Sequence, residues 1–434
     1  MRKPRHLCLL LLALSGAGAA PEPIALTLAD ALTAAEQTGL DVLIGRETVA
    51  QAVASAVRER SGLLPQVTLD ATQRRNRSAS VGGALVSSGV NSWFDAQLNG
   101  RLDLLDPERI ATYQAATYAI AVARLGQEQL REVVLATVAN TYFTHLRNLQ
   151  RIEVLDANTG RARSLLQLAQ NRFNAGIATQ IDLTRAEAQL AIDEQARLQQ
   201  DTVVQASELG FKRLLALDMG RPLQLAAFNL RRTEPSADPA SLEEVAMALR
   251  MDLQGARKLL EQNEVEVRAA RYGRLPTLAA IGSYGYASTE LLNGNETRVW
   301  SGSLALSVPV FDSARSRALT NIALSRRRAQ ELRVQNLHSQ IAAEVRLARQ
   351  DAASRLAQIR VAEKGYRLAE QELALAERRF NQGVADNREL VEAQNRLAAA
   401  GDNTVEAVYN YQLSRLELNR VLGRVTAILT EQGE

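Results

Sequence analysis

Two hydrophobic rhythms alternate along the chain. In the first, apolar or small residues recur at about 3.5 positions, the coiled-coil spacing. From Ile341 through Val345, Ala348, Ala352, Leu356, Ile359, Ala362, Tyr366, Ala369, Leu373 and Ala376 to Phe380, eleven steps cover 39 residues. Arg, Gln and Glu fill the other faces, and the Ala-rich seam permits close helix packing. This rhythm predicts helices over roughly 28–60, 107–175 and 179–217, and again over 242–272, 313–382 and 385–423. The two long ones carry no internal Pro. At about 1.5 Å per residue, some 70 residues make a rod of roughly 100 Å.

In the second rhythm, apolar and polar residues alternate strictly. Phe94, Ala96, Leu98 and Leu102 stand on one parity, and Asp95, Gln97, Asn99, Arg101 and Asp103 on the other. The pattern predicts strands over about 66–76, 93–104, 277–286 and 299–310. Each is about ten residues, the length of a tilted membrane-crossing strand. The segments between paired strands are rich in Gly, Ser and Asn. Trp93 and Trp300 stand at one strand end with Tyr284 and Tyr286 near it, and Phe311 at the other, which reads as aromatic girdles at two interfaces. One such hairpin would suit a half-buried soluble sheet. Four segments of membrane length favour a barrel, with the odd-numbered polar set as its lumen and the apolar set toward lipid. Four strands cannot close, and an open edge is not tolerated in lipid, so the chain must oligomerise. Two copies give eight strands and a filled interior, and three give twelve and room for a channel.

The chain is also written twice. Arg172-Phe-Asn-Ala-Gly176 recurs as Arg379-Phe-Asn-Gln-Gly383, 207 positions on. Leu64-Pro65 recurs as Leu275-Pro276, Leu105-Asp106 as Phe311-Asp312, and Lys212-Arg213 as Asn419-Arg420, in the same order. This divides the chain into a first repeat over 21–220, a linker over 221–240, a second repeat over 241–424 and a C-terminal tail over 425–434. Residues 1–20 read as a signal peptide: Arg2, Lys3 and Arg5, a short apolar run, then small residues up to Ala20. Cys8, the single cysteine, leaves with it. The 51 basic residues then fall to 48, equal to the 48 acidic ones. That balance argues against nucleic acid as a partner. Aromatics at 4% fit a thin, helical chain rather than a large globular core.

Taken together, the duplicated order of Leu64-Pro65 and Leu275-Pro276, of Leu104-Leu-Asp106 and Pro309-Val-Phe-Asp312, and of the paired Arg-Phe-Asn-x-Gly turns resembles the TolC family of outer-membrane efflux proteins, over about residues 25–423. The resemblance implies a mainly α fold with membrane β: a homotrimer whose 12-stranded β-barrel, four strands per chain, continues into a periplasmic α-helical coiled-coil tunnel. It implies residence in the outer membrane with a long periplasmic portion. It also implies contact with outer-membrane lipid, and docking to an inner-membrane pump through a periplasmic membrane-fusion adaptor, in efflux or type I secretion. The turns Arg172, Phe173, Gly176, Thr179 and Arg379, Phe380, Gly383, Asp386 then lie at the periplasmic tip, where an adaptor would meet them. Gly176 and Gly383 suit the left-handed position after a helix. Thr179-x-x-Asp182 and Asp386-x-x-Glu389 resemble capping boxes. By position, the resemblance makes Glu389 and Glu392 the constriction, as stacked carboxylate rings that would select cations. It links Asp182 to a basic residue of the second turn. That position is Ala385 here, which leaves Arg388 as the candidate.

Other chemistry is sparse. His145 and His338 are far apart on long helices, and no phosphate-binding lysine loop or nucleophile elbow is present. No cofactor, metal or enzymatic activity is expected. The competing reading is a soluble periplasmic coiled-coil adaptor or scaffold. An adaptor would carry compact β-rich domains, whereas this chain spends its strands on two membrane-length hairpins.

Overall fold

The computed structural model describes residues 23–77, 90–228, 231–235, 238–289, 296–382, 384 and 387–432. The expected signal peptide lies outside them. In chain order the elements are β1 (Ile24–Leu26), α1 (Leu28–Thr38), α2 (Leu40–Ser61), β2 (Gln66–Arg77), β3 (Val90–Leu105), α3 (Pro107–Asn174), α4 (Gln180–Leu214), β4 (Leu223–Leu225), α5 (Pro239–Leu249), α6 (Met251–Tyr272), β5 (Thr277–Ser288), β6 (Thr297–Ser307), α7 (Arg315–Asn381) and α8 (Asn387–Val421), closed by a 3-10 helix over Val425–Glu431.

The 68-residue α3 and 67-residue α7 form the rods the 3.5 rhythm predicts. Of the twelve seam positions, ten are buried, and Ala362 and Tyr366 are half-buried. α3 turns back along α4, α7 turns back along α8, and α3 packs against α8 to join the two hairpins. At the strand end, α2 lies on α3 and α6 lies between α3 and α7. Asp106 opens α3 by accepting from the Arg109 amide at 2.9 Å, with Pro107 in the first turn, where its missing N–H costs nothing. Asp312 does the same service for α7 through the Ser316 amide. There Ser313 (φ 50°) and Ala314 (φ 71°) intervene in left-handed conformations, so α7 begins two residues later than the expected 313.

The expected single helices over 28–60 and 242–272 are each two. Gly39 (φ −60°, ψ 120°) and Arg250 (φ −64°, ψ 119°) adopt extended backbone and break both repeats at matching points. Each break still caps its helix, through Gly39 N–H to Ala35 O at 3.1 Å and Arg250 N–H to Ala246 O at 3.0 Å. The Arg250 break is held by ion pairs to Asp252, at 2.6 Å, and to Glu344 on α7.

β2, β3, β5 and β6 make one antiparallel sheet in that order, so β2 and β6 are its edges. β1 and β4 form a separate parallel pair, which ties the segment after the first repeat to the start of the chain. The main core lies around this pair. Tyr142 and Phe143 of α3 pack with Phe211, Phe228, Tyr411, Val425 and Ile428, all buried. The Tyr142 hydroxyl donates to Ala226 O at 2.6 Å, and Tyr411 donates to the Arg231 and Thr233 carbonyls. The segments expected as linker and tail thus carry β4 and a packed 3-10 helix.

Candidate functional site: the strand sheet and the hairpin tips

Register sorts the sheet into two chemically distinct faces. Leu98 pairs with Leu69 and Tyr284, and Tyr284 with Trp300. All four side chains are exposed, Trp300 at 78%. The neighbouring rungs of this face bring in Val67, Ala71, Leu102, Tyr286 and Leu304. The opposite face carries Asp95, Gln97, Asn99, Arg101 and Asp103, as the alternation predicts. Asn99 pairs with Thr68 and Ser283, and Ser283 with Ser301. Its polar groups satisfy one another. Asn99 Nδ2 donates to Asp70 at 2.8 Å, Ser283 and Ser301 hydroxyls meet at 2.9 Å, and Arg101 and Arg109 both reach Asp103. At Gly285, opposite Gln97, a Cβ would stand 2.1 Å from Ala96 O. Only glycine fits that approach.

The aromatic positions need one correction. Trp93 pairs with Arg74 and shares the parity of Asp95, so it lies on the polar face, opposite to Trp300. Position near a strand end does not fix the face; parity does. A register shift between Asp103 and Leu105 places Leu105 beside Leu278, level with Leu306. Beyond β6, Val310 and Phe311 stand almost wholly exposed.

At the other extreme are the hairpin turns. Gly176 takes φ 74°. Its amide donates to Phe173 O at 2.9 Å, and Ile177 donates to Arg172 O at 3.0 Å. This is the double closure of a glycine-ended helix. The matching outer bond recurs as Val384 N–H to Arg379 O at 2.9 Å. Gly383, Ala385 and Asp386 lie outside the described residues. Asp182 accepts from the Thr179 hydroxyl at 2.6 Å and the Thr179 amide at 3.0 Å. The hydroxyl first and the amide second hold its carboxyl below the usual range. Its carboxylate is thus engaged by its own turn, and its carbonyl accepts from Asn387 Nδ2 of α8 at 2.8 Å. Sequence reasoning missed this tie. Asn387 is a buried amide in a position that reads as the first residue of a helix.

A second tie also crosses the hairpins. The Arg172 guanidinium lies 3.9 Å from the Phe380 ring centroid and donates to Phe380 O at 2.9 Å. Glu389 and Glu392 share a face of α8, three residues apart, and each meets an arginine. Glu389 lies 3.3 Å from Arg379, and Glu392 lies 2.8 Å from Arg388. The candidate constriction therefore holds arginine–carboxylate pairs, half exposed, where the resemblance implies bare carboxylates.

Elsewhere, His145 Nδ1 lies 2.7 Å from Ser207 Oγ, whose hydroxyl donates to Val204 O. Burial lowers the His145 pKa. His338 Nε2 accepts from Arg257 at 3.0 Å. Among the described residues, no group of three His, Cys, Asp or Glu could hold a metal, and no helix is long and apolar enough to cross a membrane.

Comparison with known proteins places this architecture. The family model for outer membrane efflux proteins matches residues 31–217 and 242–424. The chain is 25% identical over 405 residues to the outer membrane protein TolC of Vibrio cholerae, covering 89% of this chain and 87% of that one. It is 25% identical over 391 residues to the outer membrane protein OprJ of Pseudomonas aeruginosa, covering 84% and 77%. Its fold matches the outer membrane protein VceC of Vibrio cholerae at TM-score 0.78 and 19% identity, over 92% of this chain and 96% of that one. The Campylobacter jejuni CmeC outer membrane channel matches at TM-score 0.80 and 19% identity, over 91% and 85%.

Proposed function

The chain belongs to the outer membrane efflux protein family, an outer-membrane exit duct, and from that premise we propose how its parts assemble and conduct. Three copies join β6 of one to β2 of the next. That pairing removes both edges of each four-stranded sheet and yields a 12-stranded barrel wide enough for a lumen. The face of Leu69, Leu98, Tyr284 and Trp300 meets lipid, and the face of Asp95, Gln97, Asn99, Arg101 and Asp103 lines the pore. The helices continue the duct through the periplasm. An inner-membrane pump and a membrane-fusion adaptor deliver substrate at the hairpin tips, around Arg172, Phe173, Gly176 and Thr179 and their counterparts Arg379, Phe380, Gly383 and Asp386. The duct is passive, and any energy comes from the pump.

The observation that carries this reading is the pairing of an apolar, largely uncovered sheet face with two edges that have no strand partner among the described residues. A soluble scaffold would cover both, which sets the adaptor reading aside. At the tip, Glu389 and Glu392 narrow the passage with Arg379 and Arg388 beside them, so the constriction carries much less negative charge than bare carboxylate rings. Asp182 and Asn387 hold the two hairpins together.

Cell fractionation followed by native mass spectrometry of the detergent-extracted protein tests the assembly. An outer-membrane trimer lacking residues 1–20 is the expected result. A soluble periplasmic monomer or dimer would mean that the sheet never meets lipid, and the barrel, lumen and gate would fall together.

A further inference from the structure

The lipid-facing side of the sheet is not symmetric from end to end. α3 follows β3 and α7 follows β6, so the helical body leaves from the Leu105 and Ser307 ends. The opposite ends, toward Arg77 and Thr297, point away from it, to the cell exterior. On the apolar side, the rungs nearest the helices bring Val67, Leu102, Leu304 and Leu306. Toward the exterior come Trp300 with Tyr284, then Arg298 with Tyr286, and on β2 Arg75 opposite Ser92. Arg75 and Arg298 are both exposed. The acidic residues of these strands, Asp70, Asp95 and Asp103, all have the opposite parity. Among the described residues at these strand ends, Arg74, Arg75, Arg77 and Arg298 stand against Glu296, a net cationic set.

Arginine beyond an aromatic belt stands at headgroup depth, where its fork pairs with phosphate. The exterior leaflet of an outer membrane presents phosphorylated glycolipid. We propose that Arg75 and Arg298, with the aromatic rung of Tyr284 and Trp300 below them, form a docking surface for the phosphates of that glycolipid. β2 and β6 are the edges of the sheet, so trimer closure brings Arg75 of one copy and Arg298 of the next to the same seam. The lipid then bridges two copies at each of three seams. This inference rests on the outward assignment of the apolar face.

The full-length trimer in detergent is mixed with diphosphoryl lipid A, with the same lipid stripped of phosphate, or with inorganic phosphate, and native mass spectra are taken. Retention of diphosphoryl lipid A alone is expected. R75Q and R298Q should each weaken it about fivefold, and together about thirtyfold. R75K with R298K should keep most of it. Equal retention of the dephosphorylated lipid, displacement of lipid A by inorganic phosphate at equal concentration, or an unaffected double variant overturns the proposal. The wild-type comparison stands even if a variant fails to assemble. A second measurement separates the two layers of the argument. In a W93F background Trp300 is the sole tryptophan, and phospholipid brominated on its acyl chains should quench it. Quenching without phosphate selectivity removes the docking surface and leaves the outward face intact. Absence of quenching removes both.

Discussion

Two adjacent residues of β3 should respond oppositely to the same charge. Leu98 stands in the middle of the apolar positions from Phe94 to Leu102, and Asn99 is its neighbour on the polar face. From Leu98 to either end of that run is four residues, about 13 Å along the strand and about 10 Å of depth at a tilt near 40°. In an apolar band about 25 Å tall, Leu98 therefore lies close to the midplane, where an arginine costs about 2–4 kcal/mol. Three copies raise that to about 6–12 kcal/mol per trimer, enough to prevent assembly in a structure of ordinary stability. Asn99→Arg should cost less than about 0.5 kcal/mol, because its guanidinium faces water and can take over the Asn99 contact with Asp70. Trimer retention on semi-native gels and urea unfolding in liposomes read both variants. Equal stability of the two would refute the face assignment, and with it the lumen and lipid sets.

Three further outcomes are expected. Glu389→Gln with Glu392→Gln should lower cation selectivity in reversal-potential measurements, and Arg379→Gln with Arg388→Gln should raise it; unchanged selectivity in both conducting variants would remove these residues from the constriction. Arg172→Ala removes the Phe380 ring contact and a charged hydrogen bond, together about 1–3 kcal/mol, and should speed hydrogen exchange in the last turn of α7 but not in the α1–α3 core. The buried His145 has a folded-state pKa below its usual 6.5, so unfolded chains bind the extra proton; its stabilising contribution is complete above pH 6.5 and is lost as pH falls through the folded value, and a His145→Gln variant should show a flatter melting profile over that window.

What was legible in the sequence followed from periodicity. The seam from Ile341 to Phe380 is read directly because a helix with no Pro and an unbroken 3.5 rhythm has no competing conformation over that length. The parity of Phe94 to Asp103 is equally plain because β-pleating admits only two faces. The misplaced residue, Trp93, shows the limit of reading ends instead of parity. The break at Gly39 had a signal in its glycine. The break at Arg250 had no glycine to mark it, and its support is split between Asp252, two residues on, and Glu344, 94 residues away. β1 and β4 escaped notice too. Three residues each, they are strands only because each pairs with the other across two hundred residues of chain.

The tips were legible as turns but not as contacts, and the duplication shows why. Arg172 and Asp182 occupy the positions of Arg379 and Glu389 in the second repeat, 207 residues on. Equivalent sequence predicts equivalent pairing, yet only Arg379 and Glu389 meet. Asp182 is one methylene shorter, and its carboxylate takes the Thr179 hydroxyl and amide of its own turn. Arg172 instead turns across to the ring and carbonyl of Phe380. The first turn thereby supplies the tie between hairpins, while the second keeps its charges at the candidate constriction. Only the first repeat offers a hydroxyl three residues before its carboxylate, Thr179 against Asp386, so Asp182 is engaged within its own turn while Glu389 is left to pair with Arg379.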